Sequence, residues 1–288
     1  MKRIFIAVVV AAVAALGIVP ATAFASSGTL YNSLAPPQGN IPSQPFQAQQ
    51  TSQFGNEIML TRSAKVGTVT ITMSSWGCET GGGATCVTKN GATFKEPITL
   101  NIYQANATSP RTQPDTPGSG LPGALIKSVT KTFSIPYRPS ASSKCTGASL
   151  GDWFDSKNST CFAGFMTNIK FDLGVKLPQT IVFGIAYNTS QYGAAPNGCD
   201  LVPNANCPDD SLNVGLSSDP GDLQAGTDPF PGTVFWNTTT GSDYCDSGAA
   251  GSGTFRFDSP GSTPPCWGET APYTSAPWYI PAVKFTTS

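Results

Sequence analysis

Histidine is absent from all 288 residues. That removes the usual general base at neutral pH and the commonest metal-ligating side chain. Glutamate is scarce, with four residues, Glu57, Glu79, Glu96 and Glu269, none of which has another acid two positions away. No strand therefore carries the paired carboxylates at alternate positions that glycoside hydrolysis on a sheet would use. Charged residues make up 11% of the chain, against about 25% in ordinary globular proteins. The surface must be covered by Ser, Thr, Asn, Gln and Gly. Disorder does not follow, because 39% of residues are hydrophobic and fall in regular runs. A strong positive balance is missing as well: without Lys2 and Arg3 there remain 16 − 2 = 14 cations against 17 acids. This argues against nucleic acid and anionic membranes, which need clustered positive charge.

Only one long apolar run exists, from Ile4 to Val19, after Lys2 and Arg3 and before Pro20. Ala21-Thr22-Ala23 and Ala23-Phe24-Ala25 follow at the spacing of a signal-peptidase site, so residues 1–25 are expected to be a cleaved signal peptide. A retained anchor would need roughly 20 apolar residues. No cysteine near the cleavage site could carry a lipid, and residues 283–288 form neither a hydrophobic tail nor a sorting motif. The expected product is released to the extracellular space, with no membrane span left after cleavage. It divides into an extended Pro-, Gln- and Ser-rich arm, residues 26–55, and one domain, residues 56–288.

Eight cysteines in an exported chain read as four disulfides. Spacing pairs them locally: Cys78 with Cys86, Cys145 with Cys161, Cys199 with Cys207, and Cys245 with Cys266. Each pair brackets a stretch rich in Gly, Ser or Asn. Zinc is disfavoured, since the chain has no CxxC pair and no Cys/His spacing.

From Glu57 the pattern changes. Val69, Ile71 and Met73 alternate with Thr70, Thr72 and Ser74, and Ile98, Leu100 and Ile102 alternate with Thr99, Asn101 and Tyr103. Further strands are expected over 126–135, 165–173, 180–187, 212–216, 233–237, 254–258 and 279–285, with 180–187 apolar on both faces as a central strand. No window carries a helical stripe and no internal repeat is visible. About ten strands joined by turns give an all-β, antiparallel β-sandwich, jelly-roll-like, with disulfide-stapled loops. The segments FGNEI (54–58), VTITMSSWG (69–77), ITLNIY (98–103), FSIPYRPS (133–140), VFGIAYNTS (182–190) and DSLNVGLS (210–217) resemble a family of uncharacterised exported bacterial proteins. The resemblance implies a secreted β-sandwich and supplies no activity.

Candidate chemistry is sparse. Gly147-Ala148-Ser149-Leu150-Gly151 fits the GxSxG nucleophile pattern, yet it sits in a loop after Cys145 and has no histidine to complete a triad. Asp209, Asp210, Asp219, Asp222 and Asp228 gather among Gly, Pro and Asn. Such a group could share calcium, which takes six to eight oxygens, or could be solvated turn aspartates. No other cofactor is indicated. Tyr137, Trp153, Phe154, Tyr192, Tyr244, Trp267, Tyr273 and Trp278 lie in or beside loops. There they could form a stacking platform for a sugar, or cap the sandwich and shield disulfides. Trp76 and Trp236, within strands, are assigned to the core. The expected function is a non-catalytic extracellular or cell-surface binding protein for a glycan or wall polymer. The alternative is a secreted hydrolase, glycosidase-like, whose carboxylates converge only in the fold.

Overall fold

The computed structural model describes residues 28–46, 51–105, 122–187, 212–219, 221–229, 234–238, 256–258 and 278–288. The signal segment 1–25 lies outside them. Fifteen strands are found among the described residues, against the ten or so expected. The first half contributes β1 (Thr29–Asn32), β2 (Ser43–Pro45), β3 (Thr51–Met59), β4 (Ala64–Ser75), β5 (Thr93–Gln104) and β6 (Leu125–Pro136). There follow β7 (Trp153–Asp155), β8 (Thr160–Phe162), β9 (Phe165–Leu177), β10 (Thr180–Ala186) and β11 (Leu212–Asp219). The last are β12 (Val234–Thr238), β13 (Arg256–Asp258), β14 (Trp278–Pro281) and β15 (Val283–Thr287).

Every pairing is antiparallel. In the seven-stranded sheet β4 is the spine. All of it pairs with β9 on one side, while β15 and β11 share the other. β1 extends the sheet beyond β15, and β2 and β14 pair with β11. The six-stranded sheet runs β13-β12-β3-β10-β5-β6, and β7 and β8 form a separate ribbon.

The alternation read from the sequence decides which residues face inward. Val69, Ile71 and Met73 are fully buried, and on β5 Phe94, Ile98, Leu100 and Ile102 are buried while their neighbours are not. Both inner faces feed one core, where the Phe183 ring of β10 meets Phe285 of β15 edge-on at 5.8 Å. Burying each such side chain contributes about 1.5–3 kcal/mol. The sheets curl together along one side, where edge strands β6 and β9 meet: Phe133 packs on Phe171 at 5.1 Å and Lys131 Nζ donates to Lys170 O at 3.1 Å. The result is a half-barrel.

Strand β10 is covered on both faces, as its sequence requires, with Ile181 to Ile185 buried. On the outer side Gln53 lies across Gly184 to donate to Tyr103 OH at 2.9 Å, and a Cβ on Gly184 would stand 2.1 Å from Gln53 Nε2. A side chain at 184 would push Gln53 out of that bridge.

The 26–55 region is more than an arm laid over the domain. β1 pairs with β15, β2 pairs with β11, and residues 51–55 already belong to β3. Ser33 Oγ donates to the carbonyls of Pro281 at 2.9 Å and Val283 at 3.2 Å. Between β1 and β2 the chain crosses the outer face of the seven-stranded sheet, with Ile41 buried against Gly215 and Thr72.

Candidate functional site

Two of the expected disulfides, Cys78–Cys86 and Cys145–Cys161, are present, and no described cysteine is free. Cys199, Cys207, Cys245 and Cys266 lie outside the described residues. The bridged loops meet at the end of the sheets, where a Cβ on Gly151, at φ 96°, would lie 2.7 Å from Ala84 N. A residue that sequence reading passed over holds them together. Arg138, 4% exposed, donates from Nη1 to Gly151 O at 2.9 Å, from Nη2 to Gly83 O at 3.1 Å and from Nε to Cys78 Sγ at 3.3 Å. The planar fork of guanidinium suits such divergent acceptors, which one ammonium could not span. Its only sequence signal is a cation directly after β6 and Tyr137.

Trp76 departs from the core assignment. It stands one residue past the end of β4 and is 37% exposed. The reason is alternation: Met73 and Ser75 face inward, so Ser74 and Trp76 share the outer side. The indole Nε1 donates to Ser74 Oγ at 3.0 Å and Ser43 Oγ at 3.3 Å. In the amide orientation that satisfies its neighbours, Asn213 Oδ1 accepts from Trp76 Nε1 at 3.2 Å and Ser43 Oγ at 3.1 Å. Ser74 Oγ in turn donates to Asn40 Oδ1 at 2.7 Å. The N–H is fully engaged, and what the residue offers to solvent is ring surface, beside the half-buried Asn40.

The remaining aromatic candidates divide. Tyr137, 9% exposed, packs at 5.0 Å from Phe94, and Trp153, 7% exposed, is wedged between Phe162 and Phe165 with Nε1 donating to Gly164 O at 2.7 Å. Neither presents a face to solvent; they cap the core and the second disulfide loop. Phe154 is half-buried with Lys144 Nζ 4.6 Å from its ring centre. Tyr192, Tyr244, Trp267 and Tyr273 lie outside the described residues. The backbone of Trp278 opens β14, and Trp236 lies in β12 with its backbone alone described.

Asp228 is buried and accepts from Asn56 Nδ2 at 2.7 Å, Asp222 is half-buried, Asp219 ends β11, and Asp209 and Asp210 lie outside the described residues. No group of three or more His, Cys, Asp or Glu gathers among the described residues. Asp155 caps its own turn, accepting from Lys157 N and Asn158 Nδ2. The GxSxG segment is a single 3-10 turn inside the second disulfide loop, with Gly147 at φ 62°. Of the buried glutamates, Glu57 pairs across Val182 with Tyr103 on the outer face of the six-stranded sheet. Glu96 sits an odd number of residues from Tyr103 on β5, so it points inward. Those two carboxylates cannot face each other across a cleft. At the rim, Glu79 accepts from Lys89 N at 2.7 Å and Lys89 Nζ at 3.2 Å. The backbone hydrogen bond first, then the side-chain one, holds its carboxyl below the usual range.

Two disulfides mark a compartment outside the reducing cytosol. No described helix is long and apolar enough to cross a membrane. Comparison with protein-family models, with curated proteins and with solved structures finds no match for the chain.

Proposed function

We propose that the chain is an exported, non-catalytic binding module that presents Trp76 to a glycan or wall polymer at the cell exterior. The carrying observation is the held indole: its N–H is engaged by neighbouring side chains while the residue stays 37% exposed. A ring immobilised before contact loses little entropy on binding, and Asn40 beside it offers an amide to a sugar hydroxyl. The signal-like residues 1–25 and the disulfides suit this reading.

The test is co-sedimentation of the protein with insoluble cell-wall polysaccharide. Trp76→Ala is expected to weaken retention about tenfold, the equivalent of about 1.4 kcal/mol, with Trp76→Phe in between and all three proteins melting within a few degrees. Equal retention of Trp76→Ala and wild type would end the proposal.

A further inference from the structure

The chain as a whole is slightly acidic, with a formal net charge of −1, yet the fold gathers lysines on one surface. On the outer face of the seven-stranded sheet Lys170 of β9, Thr70 of β4 and Lys284 of β15 stand in one register row. Six residues along β9, Lys176 lies directly opposite Lys65 of β4. Lys65, Lys170 and Lys176 are exposed and Lys284 is half-buried, while their chain neighbours Val66, Phe171, Leu177 and Val283 are buried, which fixes the lysines outward. Lys131 adds a fifth cation at the seam, its Nζ on Lys170 O. Against these stands one acid, Asp172, the only one on β4, β9 or β15. None of the five lysines forms an ion pair among the described residues; Lys89 with Glu79 is the one pair found there.

Lysine on an edge strand commonly guards against unwanted strand pairing. That accounts for β9 and β6. It does not account for Lys65 on the central spine or Lys284 on β15, which is flanked by β1 and β4. Like charges directly opposite in an antiparallel pair are destabilising, so the Lys65–Lys176 juxtaposition costs stability unless an anion sits over it. Strands lie about 4.8 Å apart and rise about 3.3 Å per residue, so the track is roughly 10 Å wide and 20 Å long. Between its cations it carries threonine hydroxyls, Thr68, Thr70 and Thr286, and its outer-facing positions hold no aromatic ring.

We infer that this face binds a linear anionic polysaccharide, its carboxylate, sulfate or phosphate groups over the lysine rows and its hydroxyls over the threonines. The absence of aromatic platforms separates it from single-stranded nucleic-acid sites, where bases stack on rings. The track lies on the same outer face as Trp76 but toward the opposite end of β4, and it stands without that reading.

The experiment uses the full exported protein on immobilised polygalacturonate and dextran sulfate, with neutral dextran as reference, over a range of NaCl. Wild type should be retained on both polyanions at low salt, released as salt rises, and ignored by dextran. The variant Lys65→Gln/Lys170→Gln/Lys176→Gln/Lys284→Gln should lose affinity tenfold or more. A control of the same net charge, Lys89→Gln/Lys95→Gln/Lys144→Gln/Lys157→Gln, should bind as wild type. The corresponding four-arginine replacement of the track should also bind, which separates lost charge from lost fold. Equal losses in the two glutamine variants, tighter retention on duplex DNA than on either polysaccharide, or no retention at low salt would each overturn the inference.

Discussion

Removing the Arg138 guanidinium tests whether the end of the sheets is held by one side chain. Arg138→Met keeps much of the aliphatic volume and deletes the bonds to Gly151 O and Gly83 O, at 2.9 and 3.1 Å. Hydrogen bonds from a charged donor contribute about 1.5–3 kcal/mol each, and the carbonyls left behind are desolvated without a partner. Allowing for partial collapse and water entry, the expected loss is about 3–5 kcal/mol, the range found when one member of a buried charged network is removed. At roughly 2–4 °C per kcal/mol for a domain of this size, the melting temperature should fall by about 10 °C. Arg138→Lys preserves charge but offers one nitrogen, which can serve one of the two carbonyls, so it should recover less than half of that loss. Circular dichroism melts of the oxidised proteins measure both. A loss under about 1 kcal/mol for Arg138→Met, or full stability in Arg138→Lys, would show that the loops are held by their disulfides and packing rather than by the fork.

Two further expectations concern the same end of the molecule. Gly151→Ala meets both positive φ and a backbone nitrogen at 2.7 Å, so it should cost about 2–4 kcal/mol in denaturant unfolding. Gly147→Ala, at φ 62° in open space, should cost about 1 kcal/mol; equal losses would show that contact between the loops is unimportant. Glu79 has a lowered folded pKa, so its contribution is complete above the unfolded carboxylate value of 4.5 and fades as pH falls through the lower folded one. Glu79→Gln should therefore melt slightly below wild type at pH 7 and together with it near about pH 2; a gap that persists in acid would sink the assignment.

Most of the long strands were legible because at least one of their faces is buried. β4, β5, β6, β9, β10 and β11 all fall where alternation or a continuous apolar run places them. β3 is not legible as a strand because TSQFGNEIM has no clean period: Phe54 to Ile58 are buried on both faces, and the inward Asn56 is satisfied by Asp228, 172 residues away. β1 and β2 are short, and their partners β15 and β11 lie far along the chain. The expected 279–285 strand is broken at Ala282 into β14 and β15, which pair with different strands. Cysteine spacing predicted the two described staples correctly, since each closes a local loop. Trp76 was misplaced because a hydrophobic residue at the tip of an alternating run belongs to whichever face the phase dictates. Serines at 43 and 74 and an asparagine at 213 converge on it only in three dimensions. The lysine track was illegible for a similar reason: its members are scattered from 65 to 284, and composition alone averages them away.

The clasp between Ser33 and the carbonyls of Pro281 and Val283 has a kinetic consequence. It joins groups 248 and 250 residues apart, whereas the Cys145–Cys161 bond spans 16. Loop closure scales as (3/2)RT ln n, so bringing the clasp together costs about 2 kcal/mol more chain entropy than closing the staple. Folds dominated by such distant pairings form in milliseconds to seconds, long after local turns have settled. A chain synthesised from its first residue must therefore hold the pairing edge of β1 in waiting until β15 has been made. The strand written first is among the last to find its place.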